Sequence, residues 1–268
     1  MRRFAVVTGA SSGIGEAVAR ELARRGWGTF LLARRLERLE TLAKELRATA
    51  PSTPLFVDLA DPGAAQSVAS RILSMHGPVD ALVNNAGFGI YEPFLDHSVN
   101  DHRRLMQVNY HSPLSLMRAF LPSMRDRGSG TVVNVSSMSA KMGPWGHSGY
   151  AASKAALRAL TETLDAEFSP HGVRLSCLFP GIVDTPYFRE PRMQQLFEKV
   201  KHRAIPAERC ARAVCDLVDA PRIWRCEPGF YRMLDALCAL NARLAHALVA
   251  RGSRPSSLSR VRPEHSGS

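Results

Sequence analysis

A chain of 268 residues that is 45% hydrophobic and 22% charged is not a mainly disordered polymer, and its length suits one large α/β domain or two small ones. Its five cysteines, Cys177, Cys210, Cys215, Cys226 and Cys238, are odd in number and form no C-x-x-C pair, which argues against a disulfide framework and for a reducing, cytoplasmic setting. The formal net charge of +11 is the unusual figure, and it points to polyanions: nucleic acid, a membrane surface or a phosphorylated cofactor.

No apolar stretch reaches the about 20 residues that span a bilayer, and the run at residues 4–7 is too short for the core of a secretion signal. Short β-branched runs alternate instead with longer amphipathic stretches. In chain order, a strand is predicted at 4–7, a helix at 14–25, a strand at 29–33 and a charged helix at 35–49. A short strand at 55–57 precedes a helix at 63–75, with Asp61 and Pro62 at its start. Then come a strand at 79–83, one long helix at 99–124, a strand at 131–135, a helix at 150–168 and a strand at 173–179.

Apolar strands with little polar alternation, each followed by a helix, specify a parallel sheet covered on both faces. Right-handed crossovers make it doubly wound, and ligands then bind at the carboxyl ends of the strands. This α/β domain is expected to cover residues 1–228, ending in a strand at 223–226. Beyond it, Phe230, Leu234, Leu237, Leu240, Leu244 and Leu248 fall at helical spacing, so an amphipathic helix is expected over 229–251. It can pack on the core, pair with a second subunit or lie on a membrane surface. Residues 252–268, rich in Ser, Arg, Pro and Gly, read as a disordered tail.

The first strand runs into Thr8-Gly9-Ala10-Ser11-Ser12-Gly13-Ile14-Gly15 and then directly into a helix. Gly9 permits a tight turn, Gly13 lets a pyrophosphate approach the backbone, and Gly15 lets helix and strand pack closely. The amides opening the helix offer N–H groups and partial positive charge to phosphates. Three glycines also suit an ordinary turn, and the strand-before, helix-after context is what favours the phosphate reading. The loop lacks the Lys-Ser/Thr ending of a nucleoside-triphosphate site.

With its G-x-x-x-G-x-G spacing, this loop resembles that of the short-chain dehydrogenase/reductase family, whose fold is Rossmann-type. The later motifs Asn84-Asn85-Ala86-Gly87 and Tyr150-Ala151-Ala152-Ser153-Lys154 resemble the family's as well. The match covers about residues 1–190 well. After residue 190 the chain departs from the family, which often ends in a glycine-rich tetramer segment; here Glu227-Pro228-Gly229 leads into the amphipathic helix. That departure puts the usual tetramer in doubt and leaves a homo-oligomer, preferably a dimer, as the expectation.

The resemblance implies a dinucleotide cofactor held by Gly9, Ser11, Ser12, Gly13, Ile14 and Gly15. At the end of the second strand, Ala33 takes the place of the acid that binds ribose hydroxyls in NAD-specific relatives. Arg34, with Arg35 beside it, attracts a 2′-phosphate through charge-assisted hydrogen bonds. NADP(H) is therefore the expected cofactor, its choice resting mainly on Arg34, although two arginines on so basic a chain are also simply solvated charges. Asp58 and Leu59 are placed near the adenine, with a helix-capping role open for Asp58 or Asp61. Asn85, Ala86 and Gly87 are placed near the adenine ribose. Pro180, Gly181, Ile182, Val183 and Thr185 are placed over the nicotinamide, although Pro-Gly also suits a plain turn.

The same resemblance assigns catalysis to Asn109, Ser137, Tyr150 and Lys154. Tyr150 and Lys154, four apart on a helix, share a face. A free Tyr titrates near pH 10 and needs a nearby cation to favour its phenolate; Lys154 supplies that bias and holds the nicotinamide ribose. Tyr150 is then the general acid or base toward a carbonyl or secondary alcohol that exchanges hydride with the nicotinamide, and Ser137 steadies the substrate oxygen. Asn109 positions a proton relay to Lys154. Ser137, Met142, Trp145, Tyr150 and Tyr187 are the expected substrate contacts, with Met138, Pro144, Ile182, Phe188, Phe88 and Ile90 nearby; this apolar set favours a hydrophobic carbonyl compound. No histidine spacing suggests a metal, and no aromatic interleaving suggests nucleic acid. A catalytically silent NADP(H)-binding regulator on the same fold is the alternative.

Overall fold

The computed structural model describes residues 2–189, 191–241 and 249. Seven parallel strands form its central sheet: β1 (Phe4–Thr8), β2 (Gly28–Ala33), β3 (Ser52–Phe56), β4 (Ala81–Asn84), β5 (Gly130–Val135), β6 (Val173–Pro180) and β9 (Trp224–Glu227). Their spatial order is β3-β2-β1-β4-β5-β6-β9. Every residue of β2 and β4 is buried, as expected of strands covered on both faces. The order reverses between β1 and β4, and a crevice opens there at the carboxyl ends.

Successive residues on each strand supply opposite cores. Val7, Leu31, Val83 and Val133 pack under α1 (Gly13–Arg24), α2 (Leu36–Leu46) and α9 (Ala207–Asp219). Val6, Leu32, Leu82 and Val132 pack under α3 (Ala64–His76), α5 (Ser112–Asp126) and α7 (Ser148–Phe168). Leu22 on one side and Phe120 on the other are fully buried, each contributing about 2–3 kcal/mol of apolar burial. Salt bridges lock α1 to α9: Arg25 bridges Glu21 at 2.8 Å, and Asp216 and Asp219 at 2.9 Å each.

The expected long helix at 99–124 is divided into α4 (Val99–Met106), a wide π turn (Gln107–His111) and α5. Pro113 explains the break, because it has no N–H to give the Asn109 carbonyl four residues back. The Ser112 N–H donates to the Gln107 carbonyl instead, five residues back. Neither Asp58 nor Asp61 caps α3, whose cap position is Gly63 at φ +95°. The Asp58 carboxylate accepts from the Ala60 N–H at 3.0 Å in a local turn.

The remaining elements close the crevice. They are α6 (Ser139–Met142), the short pair β7 (Val183–Asp184) and β8 (Ile205–Pro206), α8 (Pro191–Val200) and α10 (Tyr231–Leu240). The helix α10 covers the first part of the amphipathic stretch and packs on the core through Tyr231, while Phe230, Met233 and Leu240 stay exposed. The rest of that stretch and the 252–268 tail lie outside the described residues. Cys177, Cys210, Cys215 and Cys226 are free and buried. Among the described residues no helix is long and apolar enough to cross a membrane, and no group of His, Cys, Asp or Glu is arranged to hold a metal.

Candidate active site

The glycine loop sits at the strand-order reversal. Gly9 and Gly13 have φ of +68° and +57°, where other residues are strained. A Cβ on Gly15 would run into the Gly9 carbonyl and the Asn85 amide, so helix, strand and the neighbouring loop meet there at backbone distance. The amide of Asn85 donates to the Thr8 carbonyl at 2.9 Å, and the Thr8 hydroxyl accepts from the N–H groups of Asn85 and Ala86 at 2.9 Å each. Thr8, quoted in the loop motif but given no role there, thus laces the first loop to the Asn-Asn-Ala-Gly loop. Thr185 approaches Gly13 within 3.1 Å of a hypothetical Cβ, which brings the 180–186 segment over the same crevice. Ser12 makes no side-chain cap on α1, so the amides opening that helix have no side-chain acceptor from it.

Arg34 and Arg35 are both exposed, and Arg35 is the one that hydrogen-bonds the loop. Its Nη2 donates to Ser12 Oγ at 2.6 Å and to Ser11 Oγ at 2.9 Å. Burial, then Arg38, then Arg34 push its pKa below the ordinary value and outweigh Glu16, which raises it. The three arginines, with Leu36, Glu37 and Phe56, line a cavity of about 460 Å³. Arg35 and Arg38 thus stand beside Arg34 as candidate partners for a phosphate. Arg38 could have been found from its place in the first turn of α2, three residues after Arg35 at the N-cap. Leu59 lies nearby, its carbonyl accepting from the Ser112 hydroxyl at 2.8 Å.

On the other side of the crevice, α7 carries Tyr150 and Lys154, both buried. Lys154 Nζ donates to the Val135 carbonyl at 2.8 Å and lies 5.9 Å from the Tyr150 ring centre. Ser137, just past β5, hydrogen-bonds the Tyr150 hydroxyl and accepts from the Ser139 N–H at 3.1 Å. Asn109 occupies the π turn, fully buried. Its amide donates to the Phe88 carbonyl and Ser153 Oγ at 3.0 Å each, and its Oδ1 accepts from the Phe88 N–H at 3.2 Å. A Cβ on Gly87 would lie 3.0 Å from Asn109 Oδ1 and 3.2 Å from Lys154 Nζ, so glycine keeps that gap open.

Burial lowers Lys154 to about 8. It raises Tyr150 above its ordinary value, against the hydrogen bond with Ser137 and the nearby Tyr187 hydroxyl, which pull it down. Desolvation thus sets the direction of the Tyr150 shift, opposite to the expected lowering, and in this state the phenol keeps its proton.

The expected substrate contacts divide into two groups. Trp145, Ile182, Tyr187 and Phe188 pack with Tyr91 and with Met193 and Leu196 of α8, and Phe88 and Ile90 join Tyr150 and Tyr187. Met138 and Met142 instead pack with Cys177, Phe179 and Cys226, away from that wall. Tyr91 and α8 are contacts that sequence reasoning missed. The Tyr187 hydroxyl is buried beside Tyr150 without hydrogen-bond geometry to any partner. His97 and His147, also buried, leave their ring nitrogens unpartnered, and burial, then His97, lower His147 to about 4.

The family model of short chain dehydrogenases matches residues 3–196. The chain belongs to the short chain dehydrogenase family. It is 40% identical over 188 residues to the dehydrogenase/reductase SDR family member 7B of Bos taurus, covering 67% of this chain and 58% of that protein. Among solved structures, a short-chain dehydrogenase from Sphingobium yanoikuyae in complex with NADPH superposes with a TM-score of 0.79 at 26% identity, over 99% of this chain and 98% of the other. An alcohol dehydrogenase from Thermococcus sibiricus complexed with 5-hydroxy-NADP gives 0.74 at 32% identity, over 84% and 96%. The chain spans about three fifths of the length of several of the curated relatives it matches.

Proposed function

We propose that this short chain dehydrogenase is an NADP(H)-dependent enzyme that interconverts a carbonyl and a secondary alcohol on a hydrophobic substrate. The observation that carries the reading is the meeting of Ser137, Tyr150, Lys154 and Asn109 at the carboxyl end of the sheet, opposite the glycine loop. The cofactor fits the residues present: a glycine cradle that a Cβ would fill, and a cavity lined by three arginines against one acid, Glu37, at the edge where a 2′-phosphate would lie. The neighbours solved with NADPH and 5-hydroxy-NADP support the same choice.

When bound, NADP(H) supplies or accepts the hydride. The protein's own part is proton and charge handling. Tyr150, kept protonated by burial, donates its phenolic proton to the oxygen of a carbonyl being reduced, and in the other direction its phenolate takes the alcohol proton. Ser137 Oγ, already within hydrogen-bond reach of that phenol, holds the same oxygen. Lys154, anchored on the Val135 carbonyl, places a cation behind the tyrosine. Asn109 is held by Phe88 and Ser153 and borders the gap through which protons reach Lys154. The wall of Tyr91, Trp145, Tyr187 and Phe188 favours an apolar substrate body.

The test is NADPH oxidation against a panel of aldehydes and ketones, with NADH as control. Turnover of hydrophobic carbonyls, lost by about 100-fold or more in Tyr150→Phe, is the expected outcome. Tight NADPH binding without turnover of any carbonyl would replace the enzyme by a cofactor-binding regulator.

A further inference from the structure

Lys141 of α6 carries its side chain away from the active-site loop to an acid in the C-terminal part of the chain. That side chain is 3% exposed, and its Nζ lies 2.6 Å from Asp235 Oδ2 of α10. The ammonium also sits 4.4 Å from the Phe179 ring centre on β6 and 4.7 Å from the Trp224 ring centre on β9. Two aromatic faces and a carboxylate thus enclose one cation, and the three come from three different elements. A buried ammonium is tolerated only when it is paired and surrounded in this way.

What this cage holds is short. The helix α6 has four residues, far fewer than a helix needs to persist by its own hydrogen bonds. Its beginning is joined to Ser137: the Ser139 N–H donates to Ser137 Oγ at 3.1 Å, and the Ala140 N–H to the Ser137 carbonyl at 3.0 Å. At the same place Tyr231 of α10 lies against Gly181, where a Cβ would collide with its ring. The C-terminal helix therefore bears on the loop that carries Ser137 and on the segment that follows β6.

We propose that Lys141 and Asp235 are positioning residues: their caged ion pair lets α10 fix the one-turn helix α6 and so orients the Ser137 hydroxyl toward Tyr150. The inference rests on the carbonyl–alcohol reading for its kinetic consequence only. Loss of the pair leaves the glycine loop untouched, so cofactor affinity is spared while the chemical step slows.

The experiment uses the full chain with NADPH and a carbonyl compound that the wild type reduces, and compares Lys141→Met, Asp235→Ala and Asp235→Glu, with Ser137→Ala as a background. Lys141→Met and Asp235→Ala should each lower kcat by about 10-fold with the KM for NADPH unchanged, and Asp235→Glu should recover most of the rate. In the Ser137→Ala background, Lys141→Met should cost nothing further, because the group it orients is gone. An unchanged kcat, or the same loss in both backgrounds, would overturn the proposal. Asp235→Ala keeps the question open to measurement if Lys141→Met fails to fold, since the Asp235 side chain is 30% exposed. Hydrogen exchange supplies a reading independent of turnover: amides of residues 137–143 should exchange about 10-fold faster in Asp235→Ala, with the glycine loop unaltered. If no carbonyl is reduced by the wild type, the functional reading falls by itself and the exchange result decides the strap; unaltered exchange would overturn it.

Discussion

Arg35 is folded back onto Ser12, its Nη2 2.6 Å from the Ser12 hydroxyl, so the guanidinium sits on the loop that cradles phosphates. Charge-assisted hydrogen bonds contribute about 1.5–3 kcal/mol each. Arg35→Ala should therefore reduce the preference for NADPH over NADH, in kcat/KM, by about 10- to 100-fold. Arg34→Ala and Arg38→Ala should have smaller effects. A larger loss in Arg34→Ala would return the phosphate contact to Arg34.

Lys154 titrates at about 8 in the folded chain because burial penalises its charge. Its folded pKa lies below the unfolded value of about 10.4, so the unfolded chain binds more protons between these limits and stability rises with pH there. Cys177, Cys210 and Cys215, pushed up to about 12 by burial, act in the opposite direction above about pH 8.5. The informative quantity is therefore the difference between wild type and Lys154→Met. In urea titrations that difference should move by about 1 kcal/mol in favour of the wild type from pH 8 to 9. A constant difference would mean that Lys154 is not held below its ordinary pKa.

Glu21 is lowered from 4.5 to about 2 by its hydrogen bond with Arg24, then by Arg25, against burial. A depressed carboxylate stabilises the fold above its unfolded pKa, and the contribution disappears as pH falls through about 4.5 to about 2. With its side chain 12% exposed, Glu21 should contribute about 2 kcal/mol at neutral pH. Glu21→Gln should lose that amount at pH 7 in denaturant titrations, and the two curves should converge near pH 2. A gap that stays the same at acid pH would show that Glu21 acts by packing.

Two glycines that border the crevice should respond differently to one methyl group. In Gly15→Ala the new carbon meets the Gly9 carbonyl and the Asn85 amide, and backbone cannot move aside cheaply. About 1–3 kcal/mol of stability and most of the NADPH affinity should be lost. In Gly89→Ala it meets the Tyr187 hydroxyl, the far end of a side chain that can rotate. That variant should keep its Tm and NADPH affinity while its KM for bulky carbonyls changes. A Gly15→Ala chain with native NADPH affinity would contradict the close packing described for the loop.

The alternation of apolar strands with amphipathic helices made the parallel sheet legible, and the loop motifs marked its carboxyl edge. What escaped the reading depends on contacts between distant residues. Pro113 divides a helix whose apolar periodicity runs on without a break. The turn Ser139–Met142 is held by Phe179, Trp224 and Asp235, so its own sequence carries no helical signal. Arg34 and Arg35 are alike as letters, and only the twist at the end of β2 decides which one turns toward Ser12. Met142 was grouped with Trp145 because they are near in sequence, yet α6 turns it to the opposite wall. Tyr91 and α8 lie too far along the chain from Tyr150 for spacing to associate them with it.

The strand β3 is an outer member of the sheet and carries Pro54 at its middle, opposite Leu31. The Val57 N–H donates inward to the Ala33 carbonyl, so by the two-residue period the backbone nitrogens of Thr53 and Leu55 also face β2, and that of Pro54 faces outward. The outward row therefore lacks a hydrogen-bond donor at its centre. A foreign strand laid along this margin finds no continuous ladder to extend, which guards the protein against edge-to-edge aggregation. Copies of the chain that associate in solution are thereby steered away from this rim and toward their helical faces.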